Sequence, residues 1–123
     1  MHPPTTTFPL RALAHGRTGD KGNRSNISVI AFHPELYPLL EAQVTEDLVR
    51  QVFAGRNPQA VTRYLLPKMG AMNLVLDGVL DGGVNDALNL DAHGKSLVFL
   101  LLQASIDVPA SLQSLLVLPQ DAA

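Results

Sequence analysis

His15–Asn23 reads HGRTGDKGN, with three glycines at every third position among an arginine, a lysine, one carboxylate and several other polar side chains. No bulky apolar side chain interrupts it, yet apolar stretches stand on both sides. It reads as a loop between two strands, Phe8–Ala14 before it and Ile27–Phe32 after it. Two roles are open to such a loop. Gly16, Gly19 and Gly22 can supply left-handed backbone to a wide hairpin tip, with Asp20 capping a loop amide. Alternatively, the loop can aim several backbone N–H groups at one anion, with Arg17, Lys21 and Arg24 adding charge. The phosphate-loop pattern does not fit, because Lys21 follows Asp20 and the chain runs on into a strand rather than a helix.

Further along, His33-Pro34-Glu35-Leu36 reads as a helix start, with Pro34 tolerated in a first turn and Pro38 limiting regularity. Thr45 is a good N-cap and is followed by Glu46 and Asp47, whose charges favour a helix N-terminus. Leu48, Val49, Val52 and Phe53 then share one face, and Gly55 is a natural stop. Ala60–Leu66 and Ala71–Val79 are strands separated by a turn at Pro67–Gly70. Asp81-Gly82-Gly83 signals another turn, with a short strand near Ala87–Leu90. Asp91 caps a helix from about Ala92 to Gln103. Its Leu97–Leu102 run is apolar on every face, which predicts burial on more than one side; a buried strand is the alternative over so short a run. A last strand is expected near Leu115–Leu118. This order predicts an α+β fold, a two-layer ferredoxin-like sandwich with an extra N-terminal strand. A single domain spans 8–118, with residues 1–7 and 119–123 frayed.

The chain is long enough at 123 residues to bury a real core. Its net charge of −2 gives no broad footprint for nucleic acid or an anionic membrane. Zero cysteines exclude disulfides and thiolate metal sites. The longest apolar run is too short to span a bilayer, and the start lacks an export signal, so the expected location is cytoplasmic.

Three stretches carry a resemblance. Arg17, Gly19, Asp20, Lys21, Gly22, Asn23, Asn26 and Ile27 fall on a block close to R-S-G-D-K-G-[DN]-x-x-N-I, with Thr18 in the serine place. Leu66-Pro67, Gly70-Ala71 and Asn73 match a second block, and Leu90, Asp91, Gly94 and Lys95 a third. With Ile106–Pro109 at the end, the chain resembles the short C-terminal domain of the acyclic terpene utilization (AtuA) family. The resemblance implies the same ferredoxin-like fold and a setting in catabolism of terpenoid or branched acyl compounds. In that family the domain follows a much larger one, so a free-standing copy implies a small subunit with an AtuA-like large partner.

The function expected on this basis is an accessory small subunit whose glycine loop binds an anionic ligand or completes a shared site. Arg17 and Lys21 would hold a carboxylate or a phosphate-bearing ligand such as an acyl-CoA, with Asn23, Asn26 and Asn73 orienting it and Gly22 in the same binding set. Asp20 would orient the cations or act as a catalytic base. A self-sufficient enzyme at a homodimer interface and a non-catalytic assembly module are the alternatives, and the isolated chain is expected to be a homo-oligomer. Asn73 interrupts an apolar strand, either as a solvent-facing position or as a ligand contact. No metal or other cofactor is expected. The four histidines lack metal-ligand spacing, and a hairpin folding at Lys21 would hold His15 and His33 roughly 20 Å apart.

Overall fold

The computed structural model describes residues 5–21, 24–56, 58–77 and 97–117, without the side chains of residues 20, 21 and 56. The stretch expected to be a glycine loop is a strand. β2, Ala14–Lys21, runs antiparallel to β3, Arg24–Ala31, in unbroken register from Ala14 opposite Ala31 to Lys21 opposite Arg24. Only Gly22 and Asn23 separate the two strands, and both lie outside the described residues. β2 has little strand character of its own. Pairing with β3 imposes it, since strand propensity mostly measures fit to a neighbouring strand.

Neither Gly16 nor Gly19 is left-handed; among the described glycines only Gly70 is, with φ 61° in the turn after Pro67–Met69. The strand expected at Phe8–Ala14 is also redrawn. Phe8 and Pro9 end β1, Thr5–Pro9, and Leu10–Ala12 form a 3-10 turn before β2 begins. Thr5–Thr7, expected to fray, are paired with Asp107–Pro109.

β4, Ala60–Leu66, and β5, Ala71–Asp77, complete a four-stranded sheet in the order β2-β3-β5-β4. Between β3 and β4 lie α1, Tyr37–Gln43, and α2, Glu46–Val52. His33 Nδ1 accepts from the Glu35 N–H at 3.1 Å and starts the turn that leads into α1. Thr45 caps α2 as expected, its Oγ1 accepting from the Leu48 N–H at 3.1 Å. Residues 97–102 form a third helix, α3, followed by β6, Ser105–Pro109. From β3 the order is β-α-β-β-α-β, the ferredoxin-like plan, and the fold is α+β.

One strand departs from the expected layout. β6 pairs with β1 in a separate two-stranded sheet, and β2 holds the place beside β3. The strand expected at Leu115–Leu118 is absent among the described residues; Ala110–Leu115 is a 3-10 segment. The expected turn at Asp81–Gly83 and strand at Ala87–Leu90 lie outside the described residues.

Helices cover one face of the sheet. Ile27, Val29, Leu74 and Leu76 from the sheet meet Leu36, Leu40, Val49 and Phe53, all essentially inaccessible to solvent. In α3, Leu97 and Leu101 join this core, whereas Phe99 is 62% and Leu100 43% exposed. The all-round burial expected of that helix is therefore not met among the described residues: one stripe is buried, and Phe99 and Leu100 are exposed. No helix of the described residues is long and apolar enough to cross a membrane.

Candidate functional site

Unbroken register through β2, β3, β5 and β4 lines residues up in rungs across the sheet. One rung is Arg17–Ser28–Asn73–Tyr64, and two positions further along β2 lies Gly19–Asn26–Val75–Thr62. His15–Ile30–Ala71–Leu66 and Lys21–Arg24–Asp77–Ala60 flank them. Side chains alternate along a strand, so these four rungs share the face turned away from the helices. The rungs between them carry Ile27, Val29, Met72, Leu74 and Leu76 toward the core. Arg63 marks that covered side as well, its guanidinium donating to the Glu41 and Val44 carbonyls at 2.7 and 2.8 Å.

The central rung presents hydrogen-bond donors to solvent. Ser28 Oγ donates to Asn73 Oδ1 at 2.7 Å, in part-buried surroundings. With its carbonyl so engaged, Asn73 has its Nδ2 group left to donate. Arg17 stands exposed at one end of the rung and Tyr64 at the other, 54% exposed. Three strand spacings separate them, about 14 Å. Beside Arg17 the floor is open, because a Cβ at Gly19 would find nothing within 4 Å. Arg24 closes the far end, its Nε 2.6 Å from Asp77 Oδ1. That hydrogen bond, and then the Asp77 charge, raise the Arg24 pKa further above its ordinary range.

Three of the residues expected at the site, Arg17, Asn26 and Asn73, thus meet on one face in adjacent rungs. Lys21 has the same strand parity and lies opposite Arg24 in the register. Asp20 does not join them; it pairs with Ser25, at the parity of Gly16 and Thr18. Gly22 and Asn23 lie outside the described residues. The expected cradle of loop amides is corrected too. Phe32 donates its N–H to the Leu13 carbonyl at 2.9 Å, which sets the phase of the ladder. By alternation the amides of Arg17 and Gly19 are bonded to β3. On this face, among the described residues of β2, side chains rather than these ladder-bonded amides are available to an anion.

Ser28 and Tyr64 were not among the expected residues. A period-two reading of Arg24–Ala31 would have found Ser28, since Arg24, Asn26 and Ser28 alternate with buried Ser25, Ile27 and Val29. The histidines are also placed differently. The hairpin closes beyond Lys21, so His15 lies opposite Ile30 and stacks on Phe32 with ring centroids 5.6 Å apart, one residue from His33. The separation of roughly 20 Å expected between His15 and His33 rested on the wrong hairpin boundaries. Among the described residues no group of three or more metal-binding side chains converges.

Two other features compete weakly for a functional role. Leu65–Met69 line an open apolar hollow of about 400 Å³ at the β4–β5 turn, with Lys68 as its one ionisable group. Ser25 Oγ and the Tyr37 hydroxyl are buried without a hydrogen-bond partner among the described residues. Burial, then the Glu41 carboxylate, push the Tyr37 pKa up.

No curated protein and no solved structure matches the chain. A family model described as the AtuA ferredoxin-like domain does, over residues 8–107, from the last part of β1 into β6. That match takes in both strands of the β2–β3 hairpin and all four rungs of the open face, and the chain belongs to this family.

Proposed function

We propose that the chain is the small ferredoxin-like component of a cytoplasmic AtuA-type assembly in catabolism of terpenoid or branched acyl compounds. Its open sheet face takes the anionic part of a ligand, a carboxylate or a phosphate such as an acyl-CoA carries. The observation that carries this reading is the central rung: Arg17, Asn73 and Tyr64 present donors in one row, with Gly19 leaving room beside Arg17. Arg17 supplies charge and a planar fork for a carboxylate or phosphate. Asn73, held by Ser28, orients it. Asn26 stands in the next rung, and Lys21 adds a second cation at the end of the hairpin.

A flat face buries too little of a small ligand to hold it well, because ligand sites are concave. The reading therefore includes a second wall, contributed by the large partner. Exposed Phe99 and Leu100, on the helix side of the sheet, favour a separate contact with another chain. Asp20 has no part in the binding set.

Thermal melts across a phosphate series and a coenzyme A series test the proposal. A ligand that binds only the folded state at ten times its dissociation constant adds about 1.4 kcal/mol. The wild-type melting temperature should therefore rise by several degrees, and Arg17→Ala should abolish the rise without unfolding the protein. Added chloride should weaken the rise, since exposed charges are screened beyond about 10 Å at 0.1 M salt. A wild-type melting temperature that ignores both anions would overturn the reading.

A further inference from the structure

We infer that the outer edge of β2 is a strand-docking site that takes an extended acidic segment of a partner chain as an additional strand of the sheet. The inference begins from how the sheet edges are finished. At the β4 edge the outward Arg63 N–H is taken by Glu46 Oε2 at 2.9 Å. At β6 the side chain of Gln43 bonds both the N–H and the carbonyl of Asp107, each at 2.8 Å. One outward donor of β4 and both backbone groups of Asp107 in β6 are thus taken by side chains from α2 and α1.

β2 is finished differently. The bond from the Phe32 N–H to the Leu13 carbonyl turns His15, Arg17, Gly19 and Lys21 inward to β3, and alternation turns Ala14, Gly16, Thr18 and Asp20 outward. Val117 donates to the Ala12 carbonyl at 2.9 Å, so the chain covers its own edge just ahead of β2. From Gly16 to Asp20 no such cover exists among the described residues. Native edges are commonly guarded by proline, a bulge or charged residues; β2 runs in regular register without a proline or a bulge, and its charged positions are Arg17, Asp20 and Lys21. Gly19 leaves the approach uncrowded.

Charge selects the occupant. On the open-face side β2 carries Arg17 and Lys21 with Gly19 between them. Residues directly opposite on a paired strand come within about 5 Å, where unlike charges attract and like charges repel. A second copy of β2 would bring Arg17 up to Arg17 or Lys21, directly opposite or one diagonal step away. An incoming strand with acids four residues apart places one opposite each cation. The match is a partner's extended segment of acid-x-x-x-acid pattern, held by main-chain bonds to Gly16, Thr18 and Asp20.

The probe is a blocked seven-residue peptide with glutamate at its second and sixth positions and valine or threonine elsewhere, labelled and titrated with the intact chain. Its lysine counterpart and a version N-methylated on alternate amides are the controls. The acidic peptide should bind saturably, and the lysine peptide about tenfold or more weaker. The N-methylated peptide should lose binding by a similar factor, because it cannot donate to a strand edge. Thr18→Pro should do the same while keeping its melting temperature, since the Thr18 N–H serves no bond of the β2–β3 ladder. In the free chain the Gly16 and Thr18 amides should exchange with solvent much faster than those of Arg17 and Gly19, and slow down when the peptide binds.

Absence of binding, equal binding of the N-methylated peptide, or Gly16 and Thr18 amides already protected in the free chain would each overturn the inference. Self-association of the wild type through this edge would do so as well. Should Thr18→Pro fail to fold, the N-methylated peptide on the wild type decides. The anion response of the open face is independent of the Thr18 N–H, so failure here leaves the ligand proposal standing, and the reverse also holds.

Discussion

Gly16→Val is expected to lower the melting temperature by roughly 10 °C, while Gly19→Ala leaves it unchanged or slightly higher. A Cβ at Gly16 would lie 2.6 Å from Val98 Cγ2, 3.5 Å from the Ser28 carbonyl oxygen and 3.8 Å from Leu102 Cδ2. Val98 cannot swing aside, because a β-branched residue in a helix has essentially one favoured side-chain rotamer. The whole of α3 must therefore shift off the sheet. Overpacking of this kind costs about 1–3 kcal/mol, and valine adds two methyls beyond the Cβ. Gly19 faces open space at ordinary backbone angles. Alanine there limits the unfolded chain and contributes about 0.4–1 kcal/mol of stability. Calorimetric melts of the two variants compare them directly; equal losses would mean that β2 does not lie beneath α3.

The second large effect concerns α3 itself. Leu101→Ala should destabilise the chain by about 2–5 kcal/mol, the cost of emptying a buried leucine site. Leu101 has no solvent exposure and belongs to the central core. Leu100→Ala and Phe99→Ser, one and two residues away, should change the stability of the isolated chain by only a few tenths of a kcal/mol, as surface substitutions do. Both should instead weaken association with whatever chain covers that side of the helix. Urea unfolding measures the first contrast and sedimentation the second. A large loss of stability from Phe99→Ser in a monomer would show that this side is packed within the chain.

The α+β class and most of the element order could be read from composition and pattern alone. Thr45 followed by Glu46 and Asp47 marked α2, and Ala60–Leu66 matched β4 residue for residue. The β2 reading failed for a physical reason. HGRTGDK has no β-branched run and no apolar alternation, so its strand conformation comes from β3 beside it and α3 beneath Gly16. The missed signal was the Gly22–Asn23 pair with strand-length segments on either side, since Gly-Asn is a two-residue hairpin signature. β6 was missed: the last strand was expected at Leu115–Leu118, although apolar Ile106 and Val108 alternate with polar Ser105 and Asp107. Its pairing with β1 was not legible, because sequence pattern does not say which strand a fifth or sixth strand will join.

The candidate site was half legible for the same reason. Arg17, Asn26 and Asn73 stood out as polar residues in or beside apolar segments, but their common face follows only from the register. Once β2 is a strand, parity sorts the block: Arg17 and Lys21 go with Asn26, Ser28 and Asn73, and Asp20 goes the other way. A tight loop would have allowed Asp20 and Arg17 to converge on one ligand. In the strand register Asp20 and Arg17 have opposite parity.

The most direct test of the open-face account is a titration of the isotopically labelled chain with coenzyme A, followed by amide and side-chain NMR shifts. The account predicts saturable shifts at Arg17, Asn26, Ser28, Tyr64 and the Asn73 side-chain amide, with Ile27, Val29 and Leu74 beneath them little changed. Shifts confined to the helix side, or no shifts at all, would contradict it.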